Sequence, residues 1–409
     1  MSQSSPTADS EKQNGPVDVC IVGGAGHVGL PLAIVLADRG MSVRIFDLNE
    51  DSLKTVADGI MPFEELGAEP LLKKVLGEGR LSFTSDPKGM QGAKTIIVTI
   101  GTPVDEFLNP DTAVIKDWVD QAMPLLSKDQ LLILRSTVYP GTTDWLAKYL
   151  RESGKPLKVA YCPERIVQGF AVKELQELPQ LVSGVNEEAV AAASAVFEKI
   201  ATKVVTLSTM EAEFAKLFAN AYRYIQFATA NQFYMIADSA GVDYNRVLSG
   251  LKQDYPRANG IPGAGFTAGP CLFKDTMQLA AFSRNQFPLG HAAMLVNEGL
   301  VLYLVDEIAR QHPLQLTTVG LLGMAFKADC DDIRSSLSYK LKKILKLKAR
   351  QVLCTDPHVT TDRELLPLEQ VIEKSDLLVL CTPHSEYRGL DVRGKPVFDV
   401  WGFLDQVQS

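Results

Sequence analysis

Residues Val17 to Asp47 constrain the fold more than any other stretch of the chain. VDVCIVG is a short apolar run of strand formers. It enters Gly24-Ala25-Gly26-His27-Val28-Gly29, and LPLAIVLADRG follows at helical spacing. SVRIFD is a second strand and ends in Asp47. Strand, glycine turn, helix, strand and acid, in that order, form the dinucleotide fingerprint. In that setting Gly24 makes the tight turn, Gly26 lets a pyrophosphate approach the helix N-terminus, and Gly29 permits close helix packing. Asp47 is placed to bond ribose hydroxyls, which favours NAD over NADP. A glycine turn that only packs is the competing reading.

Three more strand-like runs end in small polar residues. KTIIVTIGTPVD ends at Thr102-Pro103, QLLILRSTVYPGTT at Ser136-Thr137, and KVAYCPERIVQG at Pro163-Glu164-Arg165. Ligands in open α/β sheets sit beyond the carboxyl ends of strands, so Thr102, Thr137 and Glu164 point to one crevice. Ordinary turn chemistry competes at each position taken alone.

From Glu211 the pattern changes to long helices. EAEFAKLFANAYRYIQFATANQFYMIADSAG carries Lys216 and Asn220 four residues apart, hence on one face, with Arg223 next along. They form either a solvated stripe or an oxyanion-stabilising cluster. Gly260 to Asp275 reads GIPGAGFTAGPCLFKD. Gly260, Gly263, Gly265 and Gly269, with Pro262 and Pro270, make it a shaped loop. Cys271 closes it where a helix is predicted to begin, beside Lys274, and both neighbours favour thiolate. It is a nucleophile candidate, or a small buried residue.

After a break at His312-Pro313 the first pattern recurs in weaker form. TTVGLLGMAF supplies a strand and Gly323, RQVLCTDPH a strand ending in Asp356, and SDLLVLCTPH another ending near His384. This copy lacks the full fingerprint, which points to a mononucleotide moiety rather than a dinucleotide. Lys327 and Arg334, in FKADCDDIRSS, offer charge for a diphosphate, or belong to a surface salt-bridge turn.

A length of 409 residues allows two or three domains, and 46% hydrophobic content supplies their cores. The net charge of -8 speaks against nucleic acid and against an anionic membrane surface as partners. Six irregularly spaced cysteines suggest neither a disulfide framework nor a zinc site. Cys20, Cys354 and Cys381 lie in apolar runs and are read as core, whereas Cys162 and Cys330 sit among polar residues. No metal is expected. MSQSSPTADSEKQNGP lacks the apolar segment of a signal peptide, so it reads as a disordered tail (1–16) on a cytoplasmic protein.

GAGHVGLPLA, IGTP, STVYPGTT, PERIVQG, KLFAN, GPCLFKD, GMAFKADCDDIRSS and TPHSEYR occur in that order. By these motifs the chain resembles the UDP-glucose/GDP-mannose dehydrogenase family over residues 17 to 405. The resemblance implies an α/β fold. An NAD-binding Rossmann domain (17–208) would lead into a central helical dimerisation domain with the catalytic loop (209–312) and a Rossmann-like UDP-binding domain (313–409).

It also implies roles. Gly24, Gly26, His27, Val28, Gly29, Asp47, Thr102 and Thr137 would bind NAD. Cys271 would carry a thiohemiacetal and then a thioester of the sugar. Lys216 and Asn220 would steady the oxyanions, Asp275 and Thr137 would hold a water, and Glu164 would help hydrolysis. Glu164, Arg165, Ile166, Lys216, Asn220, Arg223, Lys327 and Arg334 would line the UDP-sugar site of a homodimer, with Arg257 reaching in from the partner subunit. PER and Pro256-Arg257-Ala258-Asn259 resemble the UDP-N-acetylhexosamine branch, whereas CLFKD resembles the UDP-glucose branch. A two-electron hydroxyacid dehydrogenase and a non-catalytic NAD-binding sensor are the rival classes.

Overall fold

The structure, a computed structural model, describes residues 16–102, 105 and 113–404. The expected disordered tail lies outside the described residues except for Pro16. The chain forms two compact units, Met1–Phe218 and Ala219–Ser409.

In the first unit β1 (Val17–Val22), β2 (Val43–Phe46), β3 (Leu81–Thr84), β4 (Ala93–Val98), β5 (Leu131–Leu134), β6 (Lys158–Tyr161), β7 (Gln180–Gly184) and β8 (Val204–Thr206) form one sheet. Their order is β3-β2-β1-β4-β5-β6-β7-β8. All pairs are parallel except β6 with β7. The order reverses between β1 and β4, and such a switch point opens a crevice beyond the strand ends. The central strands β1, β4 and β5 are predominantly apolar because both faces are covered. Successive side chains point to opposite faces. Val19 and Ile21 pack with Leu30 and Ile34 of the helix Gly29–Asp38. Cys20 and Val22 pack with Val119, Leu146 and Leu150 on the other side.

The expected strands overrun the observed ones. β4, β5 and β6 stop at Val98, Leu134 and Tyr161, so Thr102, Thr137 and Glu164 lie in the loops that follow. Cys162 differs from its polar sequence context: its N–H donates to the Leu134 carbonyl (3.0 Å) and its side chain joins the core. Cys330 is buried with Ala325 and Val359.

The boundary between the units falls within the 31-residue helix Thr209–Ser239. The second unit continues with the helices Tyr244–Lys252, Leu272–Phe282 and Pro288–Gln311. The last of these stops at the expected His312-Pro313 break. A parallel sheet of β9 (Thr318–Leu322), β10 (Gln351–Thr355), β11 (Leu377–Leu380) and β12 (Val397–Phe398) follows in the order β10-β9-β11-β12. Leu300, Leu304 and Ile308 recur at helical spacing, as do Leu337, Leu341 and Leu345 of the helix Leu337–Lys348. Both stripes bury against Val319 and Leu321. Each such leucine contributes about 1.5–3 kcal/mol. Among the described residues no helix is long and apolar enough to cross a membrane.

Glu213 ties the first turns of the long helix to the first unit. It is fully buried and accepts the N–H groups of Gly141 (2.6 Å) and Thr143 (2.9 Å) and the Thr143 hydroxyl (2.6 Å). It thereby caps the helix Thr142–Glu152, whose own flanking Gly141 has no side chain to do so. Burial pushes the Glu213 carboxyl above its usual value, and these bonds oppose the rise. Glu213→Ala orphans three donors and is expected to cost about 1–3 kcal/mol. Urea denaturation checks this, and an unchanged midpoint contradicts it.

Candidate active site

In the first unit the turn after β1 is built from backbone in close approach. A Cβ on Gly29 would lie 2.6 Å from the Gly24 Cα, and one on Gly24 would lie 2.8 Å from the Ile21 carbonyl. The left-handed residue is Gly23 (φ +73), one position before the Gly24 assigned to the tight turn. Gly24 is needed for space instead. A Cβ on Gly26 would meet only the Gly23 carbonyl, at 3.6 Å, so this side of the turn stays open. The helix that follows has Val28 at its N-cap and no side chain capping it, which leaves its amide dipoles available to an anion. Half-buried Asp47 accepts the Ala25 N–H (3.0 Å) and the Asn49 N–H (3.0 Å). The His27 ring packs on Phe63, with centroids 4.0 Å apart. These features fit a dinucleotide, whose pyrophosphate would sit at Gly26 and whose ribose would meet Asp47.

The loops after β4, β5 and β6 are cross-linked. Thr102 donates its hydroxyl to the Thr137 carbonyl, and both threonines are buried. Thr99, which the sequence did not single out, donates to the carbonyls of Val22 (2.8 Å) and Gly23 (3.0 Å) and so joins β4 to the glycine turn. Glu164 is buried; its Oε1 accepts the N–H groups of Arg165 (2.7 Å) and Ile166 (3.0 Å), and its Oε2 accepts Arg135 Nη2 (2.5 Å). The Arg165 guanidinium turns back onto the Pro179 carbonyl.

In the second unit Cys271 is exposed rather than buried, and it stands at the N-cap of the helix Leu272–Phe282, where its sequence context predicts a helix to begin. No side chain caps that helix, so its dipole acts on the thiol. Asp275, one turn on, is fully buried and accepts Asn220 Nδ2 at 2.6 Å. Lys274 Nζ lies 3.4 Å from Asp275 Oδ1, so part of its charge is directed there rather than to the thiol.

The loop before Cys271 is pinned at two glycines. The Gly265 N–H donates to Asn231 Oδ1 (2.8 Å). Asn231 in turn donates to Asn297 (2.9 Å), which donates to the Tyr224 carbonyl (3.1 Å). A Cβ on Gly265 would lie 2.3 Å from the Trp401 ring, and one on Gly269 would lie 2.7 Å from the Phe326 ring. Gly269 also donates to the Ser335 carbonyl (3.4 Å). The loop therefore rests on the segment that carries Lys327 and Arg334. Arg334 pairs with Asp332 through Nε (3.0 Å) and Nη2 (2.6 Å), the salt-bridge turn that was one of its two readings. That bond raises the Arg334 pKa, burial opposes the rise, and the fields of Asp332 and Cys271 add to it.

Lys216 is half-buried one helical turn before the buried Asn220. Arg223 and Arg257 are exposed.

Residues 17–201 match the NAD binding domain of the UDP-glucose/GDP-mannose dehydrogenase family, 210–299 its central domain, and 320–406 its UDP binding domain. The UDP-N-acetyl-D-mannosamine dehydrogenase of Methanocaldococcus jannaschii is 30% identical over 91% of this chain and 87% of its own. The chain belongs to the UDP-glucose/GDP-mannose dehydrogenase family. It is thus an NAD-dependent nucleotide-sugar dehydrogenase. The enzyme of the same name from Pyrococcus horikoshii is 29% identical over 90% of each chain. The solved structure of the UDP-D-ManNAc dehydrogenase of that organism superposes with a TM-score of 0.86 at 25% identity, covering 95% of this chain and 100% of that one.

The UDP binding domain of this family member repeats the acid-to-turn bond of the NAD binding domain. Asp356, at the end of β10, accepts the N–H groups of Met324 (2.6 Å) and Ala325 (2.9 Å). It also pairs with His384 Nε2 (3.0 Å), while His384 Nδ1 accepts the Asp329 N–H (3.0 Å). Asp329 binds Ser385 through both its N–H (2.8 Å) and its hydroxyl (2.6 Å). Asp329, His358, His384 and Glu386 bring metal-ligand atoms within 4.8 Å of one another. Both nitrogens of His384 are committed to these bonds, so His384 serves as a lock between two loops.

Burial pushes the Asp356 carboxyl up, but His384 and the two N–H groups outweigh it and hold the value at about 2, below the ordinary 3.8. A depressed carboxylate stabilises the fold above its unfolded value and loses that contribution as pH falls through the folded one. About 2 kcal/mol is therefore expected to disappear between about pH 4 and about pH 2. Asp356→Asn is expected to lower stability at neutral pH by a similar amount and to flatten this acid limb. Denaturation midpoints across that range check it, and an unchanged slope contradicts it.

Proposed function

We propose that the chain oxidises the C6 alcohol of a UDP-N-acetylhexosamine, UDP-N-acetylmannosamine or UDP-N-acetylglucosamine, to the uronic acid in two steps through Cys271. The exposed thiol at an uncapped helix N-terminus carries this reading. The other five cysteines are buried. A four-electron oxidation needs a covalent handle so that the intermediate aldehyde is not lost. Bound NAD accepts a hydride at each oxidation.

Cys271 Sγ adds to the C6 aldehyde carbon, and the carbonyl oxygen takes a proton to give a thiohemiacetal. Loss of the second hydride from C6, with release of the hydroxyl proton, leaves a thioester. Water attacks that carbonyl carbon, the C–S bond breaks, and the thiolate departs. Lys216 and Asn220 stabilise the successive oxyanions. The Asn220–Asp275 bond supports this role by fixing the amide next to the Cys271 helix. Asp275 and Thr137 hold the water, and Glu164 assists hydrolysis. Gly24, Gly26, His27, Val28, Gly29, Asp47, Thr102 and Thr137 hold NAD. Arg165, Ile166, Arg223, Lys327 and Arg334 receive the nucleotide sugar; Lys327 and Arg334 lie within the stretch that matches the UDP binding domain.

The acting form is a homodimer. Tyr222, Phe233 and Ile236 are exposed on the long helix, and Val247, Leu251 and Tyr255 are exposed nearby in sequence. A second copy would cover such an apolar face, and exposed Arg257 is free to enter the partner's site. Five cysteines buried as thiols fit a reducing, cytoplasmic setting. The functional division is 17–208 for NAD, 209–312 for catalysis and dimer contact, and 313–409 for UDP. The names of the relatives favour N-acetylmannosamine as the sugar.

NADH release on a panel of UDP-sugars tests this. Two NADH per uronic acid are expected, highest with an N-acetylhexosamine, whereas one NADH per sugar contradicts the scheme and preference for UDP-glucose contradicts the substrate. Lys216→Ala is expected to slow turnover by about 10²–10³-fold. Cys271→Ser should abolish steady-state acid formation, and unimpaired acid formation would sink the covalent route.

A further inference from the structure

Arg135 follows β5 directly, and its side chain is fully buried. Nη2 donates to Glu164 Oε2 (2.5 Å), and Nη1 donates to the Cys162 carbonyl (3.0 Å) and to Gln180 Oε1 (3.0 Å). The Phe197 ring lies 4.7 Å from the guanidinium carbon. The backbone closes the same link, since the Glu164 N–H donates to the Arg135 carbonyl (3.1 Å). A guanidinium buried without a counter-charge is strongly destabilising, and Glu164 is the carboxylate paired with it. The other Glu164 oxygen is held by the Arg165 and Ile166 N–H groups. The carboxylate is thus confined to one rotamer, and accepting a proton would break its ion pair.

We propose that Arg135 is a positioning residue for thioester hydrolysis. It fixes Glu164 as a charged acceptor that orients the attacking water without taking its proton. The inference rests on the Cys271 thioester reading above. In the step concerned, the water oxygen bonds to the C6 carbon, the C–S bond breaks, Cys271 leaves as thiolate, and the proton passes to solvent. Lysine cannot replace arginine fully, because a point charge cannot bridge the Glu164, Gln180 and Cys162 oxygens in one plane.

The test uses the full chain with NAD and the best UDP-sugar of the panel. NADH is followed by stopped flow, and the protein is weighed intact after acid quench. R135M is expected to release both NADH equivalents in a burst at the wild-type rate and then turn over about 10²-fold more slowly. Its mass should show the acyl adduct on Cys271. R135K should fall between R135M and wild type. A burst slowed in step with turnover, unchanged turnover, or no adduct in R135M while E164Q accumulates one overturns the role of Arg135 and leaves the thioester standing. Absence of adduct in E164Q, together with acid formation by C271S, overturns the thioester reading itself. Should R135M fail to fold, R135K decides: slower turnover with adduct supports the role, and wild-type kinetics or a uniform slowing overturns it.

Discussion

The contacts at Gly265 and Gly269 hold in place the loop that leads to the exposed Cys271. Aromatic rings of Trp401 and Phe326 press on the loop where a Cβ would stand, and the buried amide of Asn231 holds the Gly265 N–H. A loop held through its backbone keeps its side chains in a defined place, and preorganisation of this kind is what the proposed chemistry at Cys271 would need. The buried Asn231–Asn297 pair lies between apolar helices, where an unmatched amide would be costly, so its bonds specify a single packing.

The same supersecondary unit is used twice with different outcomes. In each copy an acid at the end of the second strand grips the N–H groups of the glycine turn: Asp47 in the first, Asp356 in the second. Asp47 is half-buried and grips one N–H, leaving the Gly26 side of the turn open. Asp356 grips two and is sealed by His384, so its turn is filled from within. Sequence alone separates the copies by their glycines. The structure adds that the Met324 and Ala325 N–H groups of the second turn are both committed to that acid.

Local chemistry was legible in the chain and long-range chemistry was not. The fingerprint, the helix starting after Cys271, the break at His312-Pro313 and the internal repeat follow from neighbours within one element. The rest depended on partners far along the chain. Arg135 reads as one more residue of a strand end until Glu164, 29 positions later, is seen beside it. Thr99 reads as strand until the Val22 and Gly23 carbonyls arrive. Cys162 looks polar in sequence because Pro163 and Glu164 follow it, yet strand continuation takes it inside. Burial then pushes its thiol up to about 12, as it does for Cys20, and Cys354 up to about 11. The left-handed conformation falls on Gly23, beside Gly24, and consecutive glycines give no local signal as to which carries it.

These differences in burial lead to one direct measurement. Native protein is treated briefly with iodoacetamide, with and without UDP-sugar, and the labelled cysteine is located by peptide mapping while activity is followed. The account predicts that Cys271 reacts first, that activity falls in step with its labelling, and that the UDP-sugar slows both. Labelling of a different cysteine first, or full activity once Cys271 is blocked, would contradict it.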